Sequence, residues 1–380
     1  MHSGQESKEL ALPGSPFPRR RLLKGMGGLA LVAGIPTVLA ACGGGDGKSS
    51  SKSPTASATA GNAEASPTTG GLDPAQVGKK KIAVVAISMG SEGNTRMVNG
   101  LKAEAAKGDW DVQLTDGQGD LNAMQAAWQN YIQSGVDGLV TVSTDLRLWE
   151  AGIKQAQDAN IPFISMFGGY QPGATADIQS DSMASGVMLG TYVADRLGGK
   201  GNVVIINTQV ARGTVLREKG FRAALEPYPD IKIIENHDVK VPGWTDDAYA
   251  TMQTWLQKYS KGEIQAEFSG WDEPAVAAAQ AVKAAGRNEI FCLGTDGGSP
   301  GLDMIRKNDP FVATTGESFE AIGAGVVRQL ALVFSGKPPD GRQLYVHAPL
   351  VDFRNVPASG GFKGPPEVYS LWPVENPYGV

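Results

Sequence analysis

The chain has 380 residues, 41% hydrophobic and 19% charged, enough apolar material for the cores of two globular domains. Its 39 acidic and 34 basic residues leave a formal charge of −5. No basic block stands outside the N-terminus, so no nucleic acid partner is expected, because neutralising phosphates needs clustered Lys and Arg.

Residues 1–41 read as an export signal rather than as fold. Arg19-Arg20, followed by Leu22-Leu23-Lys24, resembles the twin-arginine signal. Gly25 to Ala41 is uncharged but broken by Gly34 and Pro36. That is too short and interrupted for a membrane span, and it fits the apolar region of a signal peptide. The stretch ends Val38-Leu39-Ala40-Ala41-Cys42, which resembles a bacterial lipobox. The expectation is that Cys42 carries lipid and anchors the chain to a membrane. The other cysteine, Cys292, lies in the apolar run Ile290-Phe291-Cys292-Leu293. It is expected to be a small core residue with no disulfide partner. Residues 42–79 read as a lipid-anchored flexible tether, Gly/Ser/Thr/Ala-rich through residue 71, with a root-mean-square span of ~30 Å.

From Lys81 the pattern changes. Strands are predicted at Ile82–Ile87, Val112–Leu114, Gly138–Val142 and Pro162–Met166, with helices over Met97–Ala106, Asn122–Ser134 and Trp149–Ala159 between them. Such alternation argues for a parallel sheet covered on both faces. Near Ile178-Gln179-Ser180-Asp181 the chain leaves this sheet, and a helix over Met183–Leu197 opens a second series. Its predicted strands are Val203–Ile206, Ile231–Ile234, Ile264–Phe268, Ile290–Leu293 and Phe311–Thr315. Its predicted helices cover Val215–Leu225, Asp246–Tyr259, Ala275–Ala285 and Leu302–Lys307, and a last helix spans Phe319–Phe334. Ligands of open α/β sheets sit beyond the carboxyl ends of the strands, which is where Trp271, Asp272 and Asp296 fall. The two aspartates, Asp272 above all, could instead cap the helices that follow them.

The order of these elements resembles the ribose-binding-protein type of periplasmic binding protein. So do Phe291-Cys292-Leu293-Gly294-Thr295-Asp296-Gly297, Ala159-Asn160-Ile161-Pro162-Phe163-Ile164, Ile178-Gln179-Ser180-Asp181 and Arg217-Glu218-Lys219-Gly220-Phe221. The resemblance covers roughly residues 80–350. It implies an α/β fold of two doubly wound parallel-sheet lobes joined by a three-segment hinge, the type I periplasmic binding protein fold. One lobe would be 80–180 plus 318–345, the other 181–317 plus 346–380. It further implies an extracytoplasmic monomer that captures a small polar ligand, a sugar or polyol, in the interlobe cleft and delivers it to an ABC permease, without a cofactor. A binding protein that feeds a membrane sensor, or one for a nucleoside or a cationic ligand, stays open beside this.

Carried over position by position, Asp296 matches the strand-end aspartate that accepts sugar hydroxyls, and Arg217 matches the family's ligand-binding arginine. Trp244 stands where an aromatic residue stacks on the ring. The sequence also departs from the pattern. Phe167-Gly168 replaces a common Asp-Arg, Trp271 stands near a usual Asn, and Glu317 near a usual Gln. Ser91, Glu92 and Asn94, on the turn after the first strand, are expected to face the cleft. The site would be richer in aromatics (Phe167, Tyr170, Trp244, Trp271) and in negative charge than a pentose site. Phe167 and Tyr170 could instead only pack their loop. Catalytic and metal motifs are missing: the histidines His2, His237 and His347 stand apart, with no H-E-x-x-H and no G-x-S-x-G. The chain is therefore not expected to be an enzyme or to bind a metal. A repressor sharing the fold is also not expected, because the export signal and tether occupy the place of its DNA-binding part.

Overall fold

The computed structural model describes residues 70–364 and 368–370. Its first series runs β1 (Lys81–Ala86), α1 (Glu92–Ala105), β2 (Asp111–Asp116), α2 (Leu121–Gln133), β3 (Gly138–Val142), α3 (Glu150–Asp158), β4 (Phe163–Met166) and β5 (Ala176–Ser180). The second runs α4 (Ser182–Arg196), β6 (Lys200–Asn207), α5 (Arg212–Leu225), β7 (Asp230–Asp238), α6 (Trp244–Lys258), β8 (Ala266–Ser269), α7 (Asp272–Ala284), β9 (Phe291–Leu293), α8 (Ser299–Arg306) and β10 (Phe311–Thr315). Then come α9 (Phe319–Phe334), β11 (Gln343–Val346), β12 (Leu350–Asp352) and β13 (Val368–Ser370).

Two sheets result, in the orders β13-β11-β5-β4-β3-β1-β2 and β12-β10-β9-β8-β6-β7. Pairing is parallel except at the edges, where β13 runs antiparallel to β11 and β12 to β10. Each sheet is buried on both faces, which is why its central strands read as unbroken apolar runs. In β1, Ile82, Val84 and Ala86 face the core shared with α1 and α9, while Ala83 and Val85 meet Trp128 and Trp149 on the other side. The second sheet does the same. Val203 and Ile205 pack with Leu189 and Phe221, and Val204 and Ile206 with Met252 and Val282. Cys292 is free and buried there, as a small core residue.

Glycines let one helix pair in each lobe approach backbone to backbone. A Cβ at Gly323 would collide with the Met97 carbonyl between α9 and α1, and one at Gly186 with the Arg217 carbonyl between α4 and α5. The second contact fixes the turn of α5 that carries Arg217.

Several boundaries differ from the sequence reading. The expected tether ends early: Pro74 is buried in a short 3-10 turn, Leu72 and Val77 pack on the first core, and the Leu72 N–H donates to the Arg328 carbonyl. Ile178-Gln179-Ser180, read as part of the exit from the sheet, belongs to a strand of it, Ala176–Ser180. The tail after residue 346 does not stay with the second lobe. It contributes β12 there, and β13 then returns to pair with β11 in the first sheet. The chain passes between the sheets after β5, β10 and β11, and a fourth time between β12 and β13. On that last passage Phe362 sits where side chains at Gly297 and Gly316 would otherwise be. Its N–H donates to the Gly297 carbonyl at 2.8 Å, and its carbonyl accepts from Arg96 of α1 at 2.8 Å. Among the described residues no helix is long and apolar enough to cross a membrane. The export signal and Cys42 lie outside the described residues.

Candidate functional site

Because both sheets are parallel, their strand ends and the first turns of the following helices face each other. They enclose a cleft of about 100 Å³. The first lobe lines it with Ser88 and Ser91 after β1, Asn94 in α1, Ser143 after β3, Phe167 after β4 and Phe319 at the start of α9. The second lobe contributes Thr208 and Val210 after β6, Thr214 and Arg217 in α5, Val241 and Trp244 around the start of α6, Trp271 after β8 and Asp296 after β9. Three of these strand-end residues hold a left-handed backbone without being glycine: Ser143 (φ 56°), Phe167 (φ 59°) and Asp296 (φ 130°). Such conformations cost free energy and persist where the surrounding structure enforces them.

At the floor lies a buried charge network. Arg217 donates from Nη1 to the Gly270 carbonyl at 3.0 Å and to Asp296 Oδ1 at 3.2 Å, and from Nη2 to Glu317 Oε1 at 3.2 Å. Phe167 of the opposite lobe covers the guanidinium, 5.6 Å from its ring centroid. Burial drives the Asp296 carboxyl well above the usual carboxylate range. Arg217 pulls it back, and the nearby carboxyls of Asp272, Glu317 and Glu273 push it up again. Burial also raises Asp272, whose oxygens accept from Thr314 Oγ1 at 2.7 Å and the Gly298 N–H at 2.9 Å.

One wall is aromatic. Trp244 and Trp271 meet edge to face, with centroids 6.3 Å apart at 65°. The Trp271 indole N–H donates to Glu273 Oε2 at 3.1 Å. The other oxygen of Glu273 reaches across the cleft and accepts the Glu92 backbone N–H at 2.7 Å. A carboxylate of the second lobe thus satisfies an N–H at the start of α1, where the helix dipole favours negative charge.

Of the nine residues expected at the ligand, Ser91, Asn94, Phe167, Arg217, Trp244, Trp271 and Asp296 line the cleft. Glu92 turns away from it, into a smaller pocket with Arg96, Asp272 and Glu273. Glu317 is fully buried behind Arg217 and is not among the lining residues. Neither aspartate of the second lobe caps its own helix: α7 and α8 begin after Trp271 and Gly298, and neither helix has a side-chain cap. Tyr170 packs its loop, with its hydroxyl accepting from Arg342 at 3.0 Å. Sequence reasoning missed Ser88, Ser143, Thr208, Thr214 and Phe319. Ser143 and Thr208 directly follow β3 and β6, so the strand-end rule could have found them once applied to every strand.

Among the described residues no three His, Cys, Asp or Glu side chains are placed to hold a metal. His237 and His347 are not among the lining residues, and His237 pairs with Asp247 at 3.0 Å.

The profile of the periplasmic binding protein domain matches residues 82–338. The chain belongs to that family. A xylitol-binding protein of Mycolicibacterium smegmatis is 28% identical over 242 residues, 62% of this chain and 67% of that protein. A ribose import binding protein of Bacillus subtilis is 27% identical over 284 residues, 73% of this chain and 89% of that one. A solved ABC transporter solute-binding protein from Agrobacterium vitis, with bound allitol, superposes with a TM-score of 0.70 at 27% identity. That match covers 74% of this chain and 97% of the other. The type I periplasmic binding protein fold expected from the resemblance is therefore the fold of this chain.

Proposed function

We propose that this periplasmic binding protein captures a small sugar or polyol between its lobes outside the cytoplasm and delivers it to an ABC permease. One observation carries the reading. A buried arginine–carboxylate pair, Arg217 with Asp296, lies on the cleft floor beside the Trp244–Trp271 wall. Charged groups give strong, directional hydrogen bonds to hydroxyls, and flat apolar rings take the C–H face of a sugar. The relatives named for xylitol and ribose, and the one solved with allitol, support this ligand class. Neither half of the cleft can desolvate such a ligand alone, so it favours the closed form by its differential affinity for the two states. Closure at the hinge is the motion, and the closed form is what a permease recognises. The chain acts as a monomeric binder, without chemical turnover.

Calorimetric titration with a panel of sugars and polyols tests the reading. Asp296→Ala should cost roughly 2–5 kcal/mol of binding, because it leaves a buried charged hydrogen-bond network unpaired. A folded Asp296→Ala protein that binds like the parent would sink the assignment. The anchoring part rests on the motif ending at Cys42. Cys42→Ser should release the protein from the membrane fraction or block its processing, and unchanged membrane retention overturns the lipid anchor. Replacing both Arg19 and Arg20 by Lys should stop export if the twin-arginine route is used.

A further inference from the structure

Phe167 is an unusual residue for its backbone. At φ 59° it lies in the left-handed region, where a bulky side chain is a marked outlier and Gly, Asn or Asp is the ordinary choice. The surrounding turn enforces it. The Phe167 N–H donates to the Ile178 carbonyl at 3.1 Å, and the next two N–H groups, of Gly168 and Gly169, both donate to Asp177 Oδ1 at 3.0 Å. Asp177 is fully buried, so this clamp belongs to the core of the first lobe. The result is a ring held over the Arg217 guanidinium and tilted against Phe319, 6.0 Å between centroids.

Several polar groups lining the cleft are already committed within the protein, and the unpaired Arg217 Nε, Ser182 Oγ and Ser318 Oγ are buried out of reach of solvent. Ser143 donates its hydroxyl proton to Asn94 Oδ1 at 2.7 Å, Asn94 donates to the Ser88 carbonyl at 2.7 Å, and Thr214 donates to the Thr208 and Ala211 carbonyls. The outer face of Arg217 is shielded by Phe167 itself. A ligand hydroxyl placed flat against the Phe167–Phe319 corner would exchange water for apolar ring surface, whereas a methyl or bare CH₂ group would lose nothing there.

We propose that Phe167 sets the ligand specificity of the cleft. It selects a sugar or polyol that presents a deoxy or O-methylated carbon to the Phe167–Phe319 corner, in preference to the fully hydroxylated counterpart. The inference rests on the reading of the cleft as a sugar or polyol site and narrows the class within it. Leaving one hydroxyl unpartnered corresponds to roughly a 10- to 100-fold loss of affinity.

The test is calorimetry on matched pairs that differ at one carbon: D-ribose with 5-deoxy-D-ribose, L-mannose with L-rhamnose, and myo-inositol with its mono-O-methyl ethers. The parent should prefer the less hydroxylated member of at least one pair about tenfold or more. Phe167→Asn, which suits the left-handed backbone and brings in hydrogen-bonding groups, should reverse that preference. Phe167→Leu, which keeps the corner apolar, should retain it. Thermal melts establish that each variant is folded. A parent that prefers the fully hydroxylated members, or a folded Phe167→Asn protein with an unchanged ratio, overturns this inference and leaves the sugar-or-polyol reading intact. If no sugar or polyol binds the parent, that reading falls and this one with it.

Discussion

Across the cleft, the second lobe offers Arg217, Asp296, Trp244 and Trp271, and the first answers with Ser88, Asn94, Ser143, Phe167 and Phe319. On the second side the polar groups are charged and tied together below the surface: Arg217 spans Asp296, Glu317 and the Gly270 carbonyl. On the first side they are neutral and joined by single bonds such as Ser143 to Asn94. The buried acids follow the same division. Among the described residues Glu218, Glu267, Asp272, Asp296, Glu317 and Asp352 are buried in the second lobe, against Glu104, Asp145 and Asp177 in the first. The contrast implies a division of labour. The second lobe holds a preorganised polar floor, and the first brings a cover whose rings decide what may lie beneath it.

Breaking the floor should therefore cost far more than breaking the cover. Arg217→Met leaves the carboxyls of Asp296 and Glu317 buried without their counter-charge, and removing one partner of a buried ion pair costs about 3–5 kcal/mol of stability. Ser143→Ala removes one neutral hydrogen bond and should cost about 1 kcal/mol. Urea unfolding of the two variants gives the comparison directly. Equal losses would mean that the lobes are alike in spite of their chemistry.

The pH dependence of stability sharpens the contrast further. Burial pushes the Glu267 carboxyl up to about 8 from an ordinary 4.5, with only partial relief from Ser269 and Cys292. A carboxyl whose folded value is raised is favourable to the fold below its unfolded value, and that contribution is lost as pH rises through the folded value. For Glu267 the window is about 4.5 to 8. Asp177 of the first lobe, also pushed up by burial but held by Ser165, Gly168, Gly169 and the charge of Arg212, reaches only about 6 from 3.8. Its loss is complete before neutrality. Melting temperature should fall between pH 6 and 8, and Asp177→Asn should leave that fall in place. Glu267→Gln should lessen it, while Asp272 and Asp296, raised by the same burial, keep the rest of it. The same slope in the parent and in Glu267→Gln would show that this acid does not contribute to the fall.

What the sequence made legible, and what it did not, follows the same physics. Strands buried on both faces are continuous apolar runs, so Gly138–Val142 and Phe311–Thr315 were readable to the residue, as was the apolar helix Phe319–Phe334. The first turns of the helices facing the cleft were not. The helices read from Met97, Val215, Asp246 and Ala275 begin at Glu92, Arg212, Trp244 and Asp272, because cleft-facing turns carry polar or isolated aromatic residues and so lack an apolar period. The strand Ala176–Ser180 escaped notice because Asp177 and Gln179 put polar groups inside it, and its partner strand β11 is supplied from far along the chain. In the site, Trp271 and Asp296 could be named from their strand ends, and Arg217 and Trp244 from the family resemblance. Ser143 and Thr208 carry no individual signature, since a lone hydroxyl looks like any turn residue, and only their place directly after β3 and β6 marks them. Glu317 is expected at the ligand because it stands near a glutamine of the family pattern, but its carboxyl serves Arg217.

The smallest effect is expected at Ser91, and it separates binding from folding. Ser91 occupies the N-cap position of α1, where serine normally accepts an N–H from the first turn, and its loss costs about 1 kcal/mol of stability. Here the side chain makes no cap bond, and the neighbouring Glu92 N–H is satisfied from the opposite lobe by Glu273. Asp120 at the start of α2 and Asp181 at the start of α4 do cap, accepting from Ala123 and Ala184 among others. The Ser91 hydroxyl therefore contributes nothing to the helix that a truncation could remove, yet it lines the cleft from the first lobe. Ser91→Ala should leave unfolding within about 0.5 kcal/mol of the parent. It should also weaken ligand binding by about 0.5–1.5 kcal/mol, the worth of one neutral hydrogen bond. Asp120→Ala, the control, should cost about 1 kcal/mol of stability and leave binding unchanged. A Ser91→Ala protein that is destabilised like the control but binds normally would return Ser91 to an ordinary cap and leave the first lobe's half-site to its aromatic rings.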